Sequence, residues 1–193
     1  MKELSLHILD LVENALRAGA QKVVISVRED SQEDLLEIIV EDNGIGMDEE
    51  TRKRALDPFF STKGKRIGIG LPLVAQLAAQ CGGKLEILSE QGKGTRVRVV
   101  FRKSHIDLPP LGDLSETLFV LLSSHPEVEF VFSHEVDGCS WSFNSRELFR
   151  ELGIEESRDI FFVPLRDWIV YQENLLREGR ERESYKHRGS QEN

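Results

Sequence analysis

Two periodicities alternate along the first hundred residues of the chain. Leu4, Ile8, Leu11 and Ala15 recur at intervals of four, three and four, the spacing of one stripe on an α-helix. His7, Asp10, Asn14 and Arg17 keep the same period on another face, so Asp10 and Asn14 project together. Gly19 ends this helix, because glycine takes a left-handed cap without steric cost. KVVISVR (22–28) and LLEIIVED (35–42) are rich in β-branched residues and flank a polar turn, which predicts neighbouring strands. Asp48, ahead of Glu49 and Glu50, reads as the N-cap of a short helix over TRKRAL. A helix over 71–81, with Pro72 in its first turn, stops at Gly82-Gly83; KLEILSE and TRVRVVFRK then form a hairpin around QGKG.

The pattern breaks at RKSHIDLPPLGDL (102–114), whose paired prolines and glycine read as a linker. Beyond it, SETLFVLLSS predicts an apolar helix, and EVEFVFSHEV and CSWSFN predict strands joined at Asp137-Gly138. Asn144 with Glu147 reads as a capping box for SRELFREL, and Pro164 opens an amphipathic helix through Leu176. Phe130, Phe132, Trp141, Phe143, Phe161 and Phe162 supply either a modest core or an exposed aromatic face for a partner. The expected organisation is a module over 1–103, a linker over 104–113, a small acidic α+β domain over 114–178, and a charged, unpacked tail over 179–193.

Charge sharpens this division. Residues 1–103 hold 16 Lys+Arg and 16 Asp+Glu, so the formal net charge of -9 lies in the remainder. An acidic appendage disfavours nucleic acid and anionic membrane as partners. Cys81 and Cys139 lack metal-ligand spacing, and no signal peptide or run of spanning length is present; a reducing cytoplasm is the expected location.

Three glycine-bearing segments carry the candidate chemistry. A carboxylate and a carboxamide one helical turn apart, Asp10 and Asn14, can both reach a hydrated magnesium ion; the alternative is a solvated helix face. Asp42 ends a strand just before Gly44 and Gly46, where it can accept from an exocyclic amine such as adenine's, or simply close an Asx turn on its own backbone. Lys63, Lys65 and Arg66 stand in a glycine-interrupted loop leading to Gly68, Gly70 and a helix start at Leu71. There, backbone amides and cations can cradle phosphate, unless the loop is only a basic surface segment.

Taken in order, these segments resemble the GHKL ATPase superfamily of gyrase, a heat-shock chaperone, histidine kinases and MutL, over residues 1 to about 103. LVENALRAGA is similar to its N-box, EDNGIGMD to its G1 box, DPFFSTK to its F-box, RIGIGLPLV to its G2 box and GKGT to its closing element. The resemblance implies a two-layer α/β sandwich of the Bergerat type binding ATP and Mg²⁺. Asn14 would be the metal ligand, Asp42 the adenine reader, and Thr95 would lie beside Asp42. Gly44, Gly46, Lys63, Gly68, Gly70 and Leu71 would complete the nucleotide site. The loop from Phe60 to Gly68 corresponds to a lid as short as those of histidine kinases.

Some positions depart from the pattern. Asp10 stands where gyrase-like members have a catalytic glutamate, and Glu13 holds an acidic position common in histidine kinases, so either carboxylate is a candidate to assist an acceptor. Only three residues precede Leu4, which leaves no room for a phosphoacceptor helix pair and leads to the expectation of an acceptor on a partner protein. Two functions follow: an ATP-dependent protein kinase acting in trans, or a nucleotide-gated binding module with little turnover.

Overall fold

The computed structural model describes residues 3–57, 70–151 and 162–178. Helix α1 (Leu4–Arg17) precedes strands β1 (Lys22–Asp30) and β2 (Leu35–Asp42). Helices α2 (Glu49–Arg54) and α3 (Gly70–Gln80) follow, then strands β3 (Lys84–Glu90) and β4 (Gly94–Arg102). The remainder contributes α4 (Leu114–Ser124), β5 (Glu129–Val136), β6 (Cys139–Asn144), α5 (Ser145–Glu151) and α6 (Phe162–Arg177). The fold is an α/β sandwich of two layers, in which α1, α3 and α6 pack on one face of a six-stranded sheet of order β3-β4-β2-β1-β5-β6.

Alternation along each strand decides which face is covered. Val23, Ile25 and Val27 of β1, Leu36, Ile38 and Val40 of β2, and Val97, Val99 and Phe101 of β4 are buried under the helices. The register pairs Val27 with Ile38 and Ile38 with Val99, so these side chains form continuous rows across the sheet. The opposite face is a ladder of ion pairs, among them Arg98 with Glu37 and Glu86, and Arg28 with Glu135. Exposed pairs of this kind contribute little stability each; their effect is to keep an uncovered sheet face wet.

The segment beyond residue 103 does not build a sheet of its own. β5 lies parallel to β1, with Ile25 opposite Phe132, and β6 closes the edge through an antiparallel hairpin. The physical reason is the free edge of β1, whose unpaired amides and carbonyls β5 satisfies. Trp141, Phe143, Phe130 and Phe132 are all buried in the core shared with the first hundred residues, which favours the core reading of these aromatics over an exposed face. Phe161 lies outside the described residues. The proline-rich linker also packs: Leu4 N donates to the Pro110 carbonyl at 3.0 Å and Ser5 N to that of Leu111 at 2.8 Å, capping the first amides of α1.

Local expectations and structure agree at most caps. Asp48 Oδ1 accepts from Thr51 N at 2.7 Å, and Asp137 and Gly138 both adopt positive φ in the β5–β6 turn. Asn144 differs in detail. Its Oδ1 accepts from Arg146 N at 2.9 Å, one residue earlier than a capping box requires, because the helix starts directly at the strand end. No helix among the described residues is long and apolar enough to cross a membrane.

Candidate functional site

The site lies where β2 ends and β4 begins, beside the C-terminal end of α1. Asp42 and Thr95 are direct cross-strand partners there, on the helix-covered side of the sheet. Asp42 Oδ1 accepts from Gly44 N at 2.8 Å, so the Asx turn that the sequence allowed is formed and the carboxylate is held by it. Burial pushes the Asp42 carboxyl above its ordinary value, while the amides of Gly44 and Thr95 draw it partly back. Its remaining acceptor capacity is what a base amine requires.

The loop after Asp42 is clamped from three sides. Ile45 N donates to the Ala18 carbonyl at 3.0 Å, at the end of α1. Asn43 Oδ1 accepts from Gln21 N and Lys22 N at 2.8 and 2.9 Å, fastening the loop to the start of β1. From the β3–β4 hairpin, Gly92 N donates to the Ile45 carbonyl at 2.7 Å and Ser89 Oγ accepts from Met47 N at 2.8 Å. Of these partners, Gln21, Lys22 and Ser89 were not singled out from the sequence. Ser89 lies opposite Thr95 because Gly94 joins β4 and pairs with Glu90, which makes the turn one residue shorter than QGKG.

Glycines at this junction are there for contact. A Cβ on Gly46 would overlap the Glu90 carbonyl, and one on Gly94 would overlap that of Asp42, each at positive φ. A Cβ on Gly44 would lie 2.8 Å from the Ala18 carbonyl and 2.9 Å from Asp42 Oδ1. Gly94→Ala should therefore destabilise the chain by about 3 kcal/mol, combining left-handed strain with backbone overlap. Gly92→Ala, at φ +81 with nothing within 4 Å, should cost only about 1 kcal/mol. Urea denaturation of the two variants measures the difference.

The other end of the site is set by α1 and α3. A Cβ placed on Gly70, the first residue of α3, would be 3.7 Å from Asp10 Oδ2 and 3.8 Å from Asn14 Nδ2, so both side chains face the amide end of that helix. The carboxylate and carboxamide supply hard oxygen donors, the kind magnesium accepts. Leu71 follows on α3 and is partly buried against the core. Glu13 is placed differently. It points into solvent, with its carboxylate 3.0 Å from Arg17 Nη2, and does not join Asp10 and Asn14. His7, on the same helix, is buried; burial holds its pKa below the ordinary value, which suits a packed neutral ring. Lys63, Gly68 and the rest of the expected lid lie outside the described residues.

From Asp10 to Ala18 the helix advances eight residues, about 12 Å at 1.5 Å per residue. The two ends of the site are thus separated by roughly the reach of an extended nucleoside triphosphate. An open cavity of about 730 Å³ adjoins the Asp42 end but extends over the other face of the sheet, lined by Glu41, Leu88 and Arg96 as well as Ser89 and Thr95, and by no residue of α1 or α3.

Comparison with known proteins follows the same boundary. A family model described as histidine kinase-, DNA gyrase B-, and HSP90-like ATPase matches residues 2–105. Sporulation kinase C of Bacillus subtilis (strain 168) is 34% identical over 92 residues, covering 48% of this chain and 22% of that kinase. The sensor histidine kinase ZraS of Escherichia coli O157:H7 is 35% identical over 89 residues, covering 46% of this chain and 19% of ZraS. The chain therefore spans about a fifth of the length of these curated relatives. Among solved structures, the N-terminal domain of a DNA repair protein aligns over 74% of this chain and 52% of its own, with a TM-score of 0.50 at 17% identity, a likeness of fold.

Proposed function

Since the chain belongs to the histidine kinase-, DNA gyrase B- and HSP90-like ATPase family, we propose that it binds ATP with magnesium between α1, α3 and the sheet and passes the terminal phosphoryl group to a partner protein in trans. The observation that carries this reading is the pairing of two ends on one helix-covered groove: Asp42 with Thr95 for a base, and Asp10 with Asn14 against the start of α3 for a metal-bound phosphate chain. The names of two relatives, a sporulation kinase and a sensor histidine kinase, support phosphoryl transfer as the reaction class.

In this reading Asp42 accepts from the adenine amine while Gly44 and Gly46 let the backbone pass close to the base. Backbone amides at Gly70 and Leu71 face the phosphates, where the positive end of a helix favours anions. For Lys63 and Gly68, which lie outside the described residues, the resemblance implies added charge and close backbone approach to phosphate. Asn14 would hold the magnesium ion, which when bound would neutralise phosphate charge, while the Asp10 carboxylate beside it stays free for the acceptor. Asp10 receives the proton of the acceptor as its bond to phosphorus forms and the bond to the bridging oxygen breaks. Glu13, engaged with Arg17 in solvent, has no part in this step.

Radiolabelled ATP tests the assignment. Asp10→Ala should lower phosphoryl transfer or phosphate release by about a hundredfold or more while ATP still binds. Unchanged turnover, with no labelled partner recovered, would leave the chain as a nucleotide-gated binding module and remove Asp10 from the chemistry.

A further inference from the structure

Ser89 makes more hydrogen bonds than its single proton can donate. Its Oγ lies 2.8 Å from Met47 N, 3.0 Å from the Gly94 carbonyl oxygen and 2.8 Å from Thr95 Oγ1. The Met47 amide can only donate, and the Gly94 carbonyl can only accept. With all three bonds made, the Ser89 proton goes to Gly94, and toward Thr95 only the acceptor role remains. The Thr95 proton is then committed to Ser89, and Thr95 turns lone pairs alone toward the groove.

Asp42, the cross-strand partner of Thr95, is likewise an acceptor when ionised. We propose that Ser89 is a positioning residue for base selectivity: by taking the Thr95 proton it makes this end of the site an all-acceptor edge, suited to a purine bearing a 6-amino group and closed to one bearing a 6-oxo group. The inference rests on the nucleotide-binding reading above and adds to it the residue that sets the polarity of the base pocket. The same edge acts on the base directly or through a water held between them, since a water must donate to two acceptors and then has only its own oxygen to offer the base. At the six position an amino group adjoining that edge is tolerated; a carbonyl oxygen pressed against two acceptors is not, because it loses its hydrogen bonds to solvent and gains none.

ATP and inosine triphosphate, which differ on the six-position edge, provide the test when titrated by calorimetry into the full chain with magnesium. Wild type should prefer ATP. Ser89→Ala releases the Thr95 proton to turn toward the 6-oxo oxygen, so the preference for ATP should shrink by about tenfold, mostly through tighter binding of inosine triphosphate. Ser89→Thr, which keeps the hydroxyl, should retain the wild-type ratio. In a Thr95→Val background, Ser89→Ala should move the ratio no further. Because the ratio is taken within each variant, a change in the folded fraction cancels. An ATP preference unmoved by Ser89→Ala, or shifted equally with Val at position 95, overturns the role given to Ser89 while leaving nucleotide binding intact. Wild type that binds neither nucleotide defeats both readings.

Discussion

Asp42→Asn is expected to weaken ATP binding by about a hundredfold while leaving the fold nearly as stable as wild type. The substitution keeps an oxygen to accept from Gly44 N, so the turn after β2 survives. What it changes is the group offered to the base. An amide nitrogen now meets the adenine amine donor to donor, and a hydrogen bond to a charged acceptor, worth about 1.5–3 kcal/mol, is lost along with it. On the affinity scale about 2.7 kcal/mol is a factor of a hundred. Isothermal titration with ATP and magnesium reads the loss, and thermal melting confirms that the protein is folded. Affinity equal to wild type would place the base elsewhere and remove the foundation of the proposed function.

The second large effect lies far from the nucleotide groove. His134 on β5 is fully buried, with Nδ1 3.0 Å from Glu173 Oε2 on α6 and Nε2 3.4 Å from Glu29 Oε1 on β1. Trp141 Nε1 donates to Glu173 Oε1 at 2.7 Å, and Lys103 Nζ lies 3.3 Å from Glu29 Oε2. This cluster fastens α6 to three strands. Glu173→Ala leaves both His134 and the Trp141 N–H without their partner in a dry interior, and removing one member of such a buried pair costs about 3–5 kcal/mol. Urea unfolding should show that loss, and a change below 1 kcal/mol would mean that water replaces the carboxylate.

The same cluster gives the stability curve two arms. Burial opposes a charge on His134, but the carboxylates of Glu173 and Glu29 outweigh it and hold its pKa above the ordinary 6.5. A raised value means that the contribution is fully present below 6.5 and is lost as pH rises through the folded pKa. Glu29 runs the other way. The hydrogen bond from His134, against burial and with help from Lys103, holds it below 4.5, so its contribution is present above 4.5 and is lost as pH falls through the folded value. Stability measured against pH should therefore be greatest between these limits, and His134→Phe should flatten the alkaline arm.

How much of this was legible beforehand varied with sequence distance. The α1 face bearing Asp10 and Asn14, the cap at Asp48 and the β3–β4 hairpin follow from periods of 3.6 and 2 and from turn residues, all short-range properties of backbone geometry. Glu173 carried a signal that went unread: it falls four residues after Ile169 and three before Leu176, on the buried stripe of α6, where a carboxylate needs a partner. Ser89 looked like any strand serine, because its importance depends on which hydroxyl lies across the hairpin and which amide arrives from the loop at Met47.

By itself, then, the order of residues determined the elements, the glycine-bearing turns and the side chains that could meet a nucleotide, since each depends on contacts within a few positions of the chain. Tertiary structure alone decided that β5 would complete the bare edge of β1, that Glu13 would turn to solvent while Asp10 met Gly70, and that Glu173 would find His134. Those outcomes depend on which surfaces are left unsatisfied after the local elements form. Burial and hydrogen bonding across more than a hundred residues, as between Glu29 and His134 with |i−j| of 105, settle them together.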